Sequence, residues 1–285
     1  WTNAPGCNAL SVAQYIASVL CMVCERNHFC LRQKTIGIIG VGAVGSKIAK
    51  LAEGFGMRVL LNDPPRADKE GSEGFVALEK IFEEADFITF HTLLSKDGPY
   101  PTFHLANDDF FRSLKKKPVI INAARGEVIR TESLLMAIEN ELVSEVVLDC
   151  WENEPDIHPE LLMKTLIATP HIAGYSADGK GNAAMQSVRS VSKFFGLGLD
   201  HWEVPKIPDP IEIDFSLDMS AEEFFLETYE VEADSLRLKL SPETFERQRS
   251  HYPFRREPSA YLSMMNNKLK AEFMQKFSLF TDKIE

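Results

Sequence analysis

The stretch that decides the fold is TIGIIGVGAVG, Thr35 to Gly45. Its first part, Ile36 to Ile39, is a short apolar run rich in β-branched residues, the pattern of a strand buried on both faces. Its second part is Gly40-x-Gly42-x-x-Gly45, with Ala43 and Val44 before the last glycine, and it opens the helical stretch VGSKIAKLAEGFG. Strand, glycine turn and helix in that order make a corner suited to a pyrophosphate. The glycines let the backbone turn tightly and come close, and the helix start offers free N–H groups and a positive dipole end. Alone the pattern is weak. Asp63 strengthens it, because it ends the next strand-like run, RVLLND, about 20 residues on, where a ribose-binding acid belongs. A carboxylate there accepts hydrogen bonds from the ribose hydroxyls and repels a 2′-phosphate, so NAD is expected rather than NADP. Arg66, close by, keeps the other choice open, since arginine accommodates that phosphate.

Outward from this corner, strand-like runs alternate with helical ones. After RVLLND come GFVALEKIFEEA, then the strand DFITFHT (86–92) and the helix NDDFFRSLK. PVIINAA (118–124) precedes TESLLMAIENEL, with Thr131 as the expected helix cap. EVVLDC (145–150) and LIATPH (166–171) complete six strands, and a last helix is expected over about 177–195. Strands alternating with helices imply an α/β fold, a doubly wound parallel sheet of the Rossmann kind. EVPKIPDP (203–210) reads as a proline-rich linker. Beyond it IEIDF alternates like a half-exposed strand. SAEEFFLETYE starts with a capping box, Ser220 with Glu223, and SPETFERQR has Ser241 at a cap with Pro242 at the first helical position. These features predict a small, separate C-terminal α/β module over 206–285. The resulting division is 1–28, 29–178, 179–205 and 206–285.

The bulk composition bounds the function. A chain of 285 residues, 45% hydrophobic and 26% charged, has the make-up of a globular protein of one large or two ordinary domains. No apolar run approaches the roughly 18 residues that suggest a membrane span, so no membrane partner is expected. The net charge of −11 argues against a general nucleic-acid binder. It does not exclude an anionic small substrate held by a local cluster of arginines. The chain opens on Trp1 with no signal-peptide pattern, as a fragment or processed product does. Five irregularly spaced cysteines form no disulfide framework, which points to a reducing, cytoplasmic setting. Cys21 and Cys24 of CMVC lie inside an amphipathic helical stretch, SVAQYIASVLCMVCERN, and read as helix-face cysteines rather than metal ligands. No metal is expected.

In a parallel sheet the strand tips on the carboxyl edge share one crevice with the glycine turn. Strand three ends in His91-Thr92, strand four in Ala123-Ala124-Arg125, strand five in Asp149, and strand six leads to His171. Each alone is an ordinary turn residue; together they suit a lining for nicotinamide and substrate. Glu154 follows strand five and is, taken alone, as readily an exposed loop acid. Arg125, Glu154 and His171 are the parts needed to oxidise a 2-hydroxy acid. A base must take the hydroxyl proton as hydride leaves the same carbon, and histidine suits. A carboxylate on its other ring nitrogen fixes the tautomer. Arginine grips the substrate carboxylate with two hydrogen bonds. His158, in DIHPE, reads as surface.

APGCNALSVAQY, GIIGVGAVG, INAARGEVI, LDCWENEP and PHIAG resemble the successive signatures of the D-2-hydroxyacid dehydrogenase family. The resemblance implies that Arg125, Glu154 and His171 are catalytic, in agreement with the chemical reading. It implies that Asp63, Thr92, Ala123 to Arg125, Asp149 and Gly174 contact NAD, and that Tyr175 reaches the substrate. DPPRAD (63–68), FHTLLSKDGPYPTFHL (90–105), HIAGYSADGK (171–180) and FERQRSHYPFRRE (245–257) resemble one branch of the family. That branch acts on a small phosphorylated hydroxy acid and carries an extra C-terminal dimerisation domain, which implies a homodimer built by 206–285. Family chains begin with a flavodoxin-like substrate domain, and this sequence starts near its end, so 1–28 is expected to be a remnant. The last segment, MNNKLKAEFMQKFSLFTDKIE, carries no recognisable signature. Rival readings are a dehydrogenase for glycerate or phosphoglycerate, and a dinucleotide-sensing protein that binds partners.

Overall fold

The computed structural model describes residues 1–215 and 219–281. The chain opens with helix α1 (Ala9–Asn27) and then lays down strand β1 (Thr35–Ile39), helix α2 (Ala43–Gly54), strand β2 (Arg58–Asn62) and helices α3 (Pro64–Glu70) and α4 (Leu78–Glu84). Strand β3 (Phe87–Phe90), helix α5 (Asp108–Ser113), strand β4 (Val119–Asn122) and helix α6 (Thr131–Glu139) follow. Strand β5 (Glu145–Leu148), helix α7 (Pro159–Lys164), strand β6 (Ile167–Ala168) and helix α8 (Ala177–Phe195) close the sheet region. The six strands are parallel in the order β2-β1-β3-β4-β5-β6. The chain reverses direction across the sheet between β1 and β3, and that switch point sits beside the glycine turn.

Alternation along each strand fills both faces, as a doubly wound sheet requires. Ile36, Ile38, Phe87, Val119 and Ile121 join the layer beneath α1 and α2. Ile39, Ile88, Phe90, Ile120 and Leu148 join the layer under α4 to α7. The ends are set locally. Ser176 caps α8 by accepting the Gly179 N–H, and Gly196 ends it in the left-handed conformation. Thr131 does not cap α6: the helix starts at Thr131 itself, whose N–H donates to Glu152 Oε2 at 2.7 Å. The Glu152 carboxylate does the work that was expected of the threonine hydroxyl.

The C-terminal part departs further from expectation. Among the described residues it holds helices only: α9 (Ala221–Thr228), α10 (Val231–Leu240), α11 (Phe245–Ser250) and α12 (Asn267–Lys276), with short 3-10 turns. IEIDF is irregular rather than a strand. The Ser220–Glu223 capping box forms as read. Pro242 opens a 3-10 turn before α11, and Ser241 makes no side-chain cap.

Nor is this part a separate module. Phe224, Phe225, Phe273, Phe277 and Phe280 belong to the same core as Leu20, Ile38 and Leu51 of α1, β1 and α2. Phe277 meets Phe55 edge-on with ring centroids 4.9 Å apart, and Phe224 meets Phe273 at 4.9 Å. Such pairs contribute about 0.5–1.5 kcal/mol each beyond their buried area. The described part of the unrecognised final segment therefore supplies core residues, Leu269, Phe273, Phe277, Leu279 and Phe280: α12 and the turn after it cover α2. The reason is α1. By length and composition it is long and apolar enough to cross a membrane, yet 83% of that window is buried in this fold. α1 is buried on every side from Ala9 to Val23; α9 packs on it, and the buried Ser11, Gln14 and Ser18 bond to Glu257, the Arg256 carbonyl and the Phe225 carbonyl.

Candidate active site

The carboxyl edge of the sheet carries two neighbouring regions. At the tips of β2, β1 and β3 lies a cavity of about 790 Å³, lined by Gly40, Gly42, Asp63, Thr92 and the loop through Tyr100. The catalytic candidates gather at the tips of β4, β5 and β6. From β1 to β5 is three strand spacings, about 14 Å along the edge.

The three glycines do different work. Gly40 has φ +87, and a Cβ there would lie 2.7 Å from the His91–Thr92 backbone. A Cβ on Gly45 would lie 2.0 Å from the Gly40 carbonyl oxygen, so the helix packs on the strand through bare backbone. At Gly42 a Cβ would meet nothing, leaving open space in front of the first N–H groups of α2, which no side chain caps. An anion fits that space. Asp63 Oδ2 accepts the Val41 N–H at 2.7 Å and Oδ1 caps α3 through Arg66 N–H, holding the carboxylate at the cavity wall. The Arg66 guanidinium is already engaged, bonded to Glu70 at 2.6 and 2.9 Å and to the Val41 carbonyl. It is thus poorly placed to receive a 2′-phosphate. The Thr92 hydroxyl and His91 Nδ1 are buried without a partner. Burial holds the His91 pKa down to about 3, so it enters the site neutral. Unpaired buried polar atoms beside an open helix start fit a polar cofactor such as NAD.

At β4 the Asn122 side chain shapes the turn: it donates to the Arg125 carbonyl at 2.9 Å and accepts the Ala124 N–H at 3.1 Å. Arg125 emerges exposed, its Nη1 donating to the Ala124 carbonyl, with Ala123 half-buried beside it. A Cβ on Gly126 would lie 1.9 Å from the Trp151 carbonyl, so the β4 and β5 turns touch backbone to backbone.

The two glutamates of WENEP are told apart by the fold. Glu152 turns away to His104 Nε2, 2.6 Å off. Glu154 Oε2 lies 2.8 Å from His171 Nδ1, and its Oε1 accepts the Trp151 N–H at 2.8 Å. Burial pulls the His171 pKa down, but the Glu154 hydrogen bond and the Asp149 charge outweigh it, leaving the ring above its ordinary value. His171 itself adopts φ 55, held by its N–H to the Asp149 carbonyl.

Asp149 is 1% exposed. Its carboxylate accepts from Thr169 Oγ1 at 2.7 Å and from the Ile172 and Ala173 N–H groups at 2.7 and 2.9 Å. It therefore ties down the PHIA turn, a duty that sequence did not disclose. Gly174 packs on Asn8 at the start of α1. The Tyr175 hydroxyl accepts from Arg249 at 3.4 Å. Arg249 was missed, because it lies 74 residues away on α11. Cys150 was also missed: its Sγ lies within 4.8 Å of donor atoms of Glu154 and His171. Burial and the neighbouring acids push this thiol well above its usual range, so it stays protonated. Cys21 and Cys24 sit on α1 as read, and His158 caps α7 at the surface.

Residues 23–173 match the D-isomer specific 2-hydroxyacid dehydrogenase, NAD binding domain. The chain belongs to the D-isomer specific 2-hydroxyacid dehydrogenase family. This family member is 54% identical over 261 residues to erythronate-4-phosphate dehydrogenase of Bacteroides thetaiotaomicron, covering 92% of this chain and 74% of the relative. It is 43% identical to the enzyme of that name from Porphyromonas gingivalis, covering 92% and 72%. Among solved structures it resembles D-lactate dehydrogenase of Aquifex aeolicus complexed with NAD and lactic acid, at 25% identity and a TM-score of 0.55, covering 67% and 68%. The apo-structure of Escherichia coli D-lactate dehydrogenase matches at 26% and 0.54, covering 66% and 65%. The chain is thus an NAD-dependent 2-hydroxyacid dehydrogenase.

Proposed function

We propose that this dehydrogenase oxidises 4-phospho-D-erythronate to 3-hydroxy-2-oxo-4-phosphobutanoate, a step toward pyridoxal 5′-phosphate, and does so in the cytoplasm. The observation that carries the chemistry is the His171–Glu154 pair, 2.8 Å apart on the same sheet edge as the dinucleotide corner. The choice of substrate follows from the similarity to enzymes of that name, which covers 92% of the chain. Glu154 fixes Nδ1 of His171 and stabilises the imidazolium, so Nε2 takes the proton from the C2 hydroxyl. Arg125 pairs with the substrate carboxylate and polarises the forming carbonyl. NAD, when bound, would supply the hydride acceptor, and the Gly40–Gly45 turn, Asp63, Thr92, Ala123, Ala124, Asp149 and Gly174 are the residues that would hold it. In the reverse direction His171 enters protonated and returns its proton to the carbonyl oxygen.

The test is turnover of 4-phosphoerythronate, glycerate and 3-phosphoglycerate with NAD in the full-length enzyme. Preference for either of the last two favours the rival dehydrogenase. NAD binding with no turnover of any hydroxy acid favours a sensor. His171→Ala is expected to lower turnover about 10²–10⁴-fold while NAD affinity stays.

The functional division at 28/29, 178/179 and 205/206 belongs to the same proposal, with 206–285 as the dimerising part. Leu236 and Leu240, one turn apart on α10, are 58% and 73% exposed, and Phe254 is 75% exposed. An apolar stripe of this kind suits burial against a second copy. Leu240→Glu is expected to give a monomer in sedimentation; a persistent dimer sinks this arrangement.

A further inference from the structure

The segment FERQRSHYPFRRE clasps the PHIAGYS turn through three of its charged residues, Arg255, Arg256 and Glu257. Arg255 is buried, donating to the Ala173 carbonyl at 2.6 Å and lying 4.2 Å over the Tyr229 ring. Arg256 forks onto Asp178 at 2.9 Å through two nitrogens. Glu257 accepts from Ser11 and Ser176 at 2.8 and 3.0 Å. Arg255 keeps Nε and Nη1 buried without a hydrogen-bond partner, but the Tyr229 ring lies under its guanidinium. Arg249 is held only loosely: its Nη1 meets the exposed Glu246 at 3.1 Å, its Nη2 reaches the Tyr175 hydroxyl at 3.4 Å, and its Nε too is buried with no partner. A guanidinium has five N–H donors in a fixed fork, and leaving one buried and unpaired is costly.

The placement of that idle fork is specific. Its charge acts on both Glu154 and His171. The guanidinium carbon lies 5.9 Å from the Tyr175 ring centre, and the Lys180 ammonium lies 4.7 Å from the same ring. Two cations thus flank the side chain that is expected to reach the substrate. Arg125, at the tip of β4, is a separate cation for the carboxylate. A substrate with an anion at each end needs both kinds of site.

We propose that Arg249, with the Tyr175 hydroxyl and Lys180, forms the subsite for the phosphate of the hydroxy acid, so that the C-terminal helices supply substrate selectivity as well as core. This rests on the reading of the substrate as a phosphorylated hydroxy acid. The planar fork suits a phosphate dianion through two parallel hydrogen bonds. The 3.4 Å contact to Tyr175 is a resting position, exchanged for phosphate oxygens on binding.

The test compares kcat/KM for 4-phosphoerythronate with that for erythronate in the full-length enzyme. Because both substrates see the same active fraction, their ratio is independent of how much variant folds. Arg249→Gln is expected to lower the ratio about 30- to 100-fold, and Arg249→Lys, which keeps charge without the fork, by less. Inorganic phosphate, as a competitive inhibitor, should weaken in parallel. An unchanged ratio overturns the proposal, including the case where both substrates fall together, because Arg249 then acts through His171 or through the turn. If the wild type itself does not prefer the phosphorylated acid, the substrate reading fails. Inorganic phosphate then still reports on the subsite: equal inhibition of wild type and Arg249→Gln overturns it.

Discussion

Glu154 Oε2 and His171 Nδ1 are 2.8 Å apart, which commits one ring nitrogen to the carboxylate and leaves Nε2 for the substrate. With the acid in place the ring titrates above its ordinary value despite its burial. Glu154→Gln removes the charge and leaves burial to dominate, so the His171 pKa falls. Ketoacid reduction needs the imidazolium, and its high-pH limb should move to lower pH. Oxidation needs the neutral ring, and its low-pH limb should move the same way. pH profiles of kcat/KM in both directions check this, and limbs that stay where they were separate Glu154 from His171.

Asp63 holds the Val41 N–H and the start of α3 while facing the cofactor cavity. Asp63→Ala should weaken NADH binding about 10-fold or more, the worth of hydrogen bonds to a charged group. NADPH should gain relative to NADH because the repulsion is gone. Fluorescence titration of both nucleotides measures the two effects; equal binding of both by the wild type contradicts the role given to Asp63.

Glu257 is 2% exposed, and burial, with a smaller push from Asp178, raises its pKa from 4.5 to about 7 despite the Ser11 and Ser176 hydrogen bonds. Between those values the folded state holds a proton that the unfolded state has lost. Stability from this group is therefore greatest at acid pH and declines as pH rises from 4.5 to about 7, by about 3 kcal/mol. Glu257→Gln stays neutral and can keep a hydrogen-bond acceptor toward the serines. It should match the wild type near pH 4.5 and exceed it at pH 8 in urea melts. A difference that does not change with pH rules this out.

A Cβ at Gly54 would lie 2.3 Å from the Lys276 carbonyl oxygen and 2.8 Å from the Phe277 ring. Gly54→Ala should therefore push α12 from α2 and cost about 1–3 kcal/mol, although alanine favours helix. Deleting 206–285 should do far more, leaving α1 and Phe55 uncovered and the protein aggregated rather than a tidy monomer. A soluble truncated chain that binds NAD would show that the two parts are separable after all.

Much of the sheet region was legible because it obeys local rules. Six strands, the glycine corner and α8 over Ala177–Phe195 follow from runs, caps and periodicity. The Glu154–His171 pairing was legible because strand tips converge by topology. What sequence hid was non-local. Arg249 reaches Tyr175 across 74 residues, and Thr131 yields its capping role to Glu152. IEIDF alternates as a strand should, but it pairs with no strand among the described residues and stays irregular. Phe273 and Phe277 look like the apolar side of any helix until α1 shows what they help to cover.

The packing of α1 against α9 has a consequence for biosynthesis. The Ser18 hydroxyl donates to the Phe225 carbonyl, a partner 207 residues later in the chain. At about 5–20 residues per second, roughly 10 to 40 s pass on the ribosome between the emergence of one and the other. Through that interval the nascent chain carries a 19-residue apolar helix with its outer cover not yet made. Holding chaperones have a defined window and a defined target here, and the yield of folded protein should depend on them more than on the strength of any single contact.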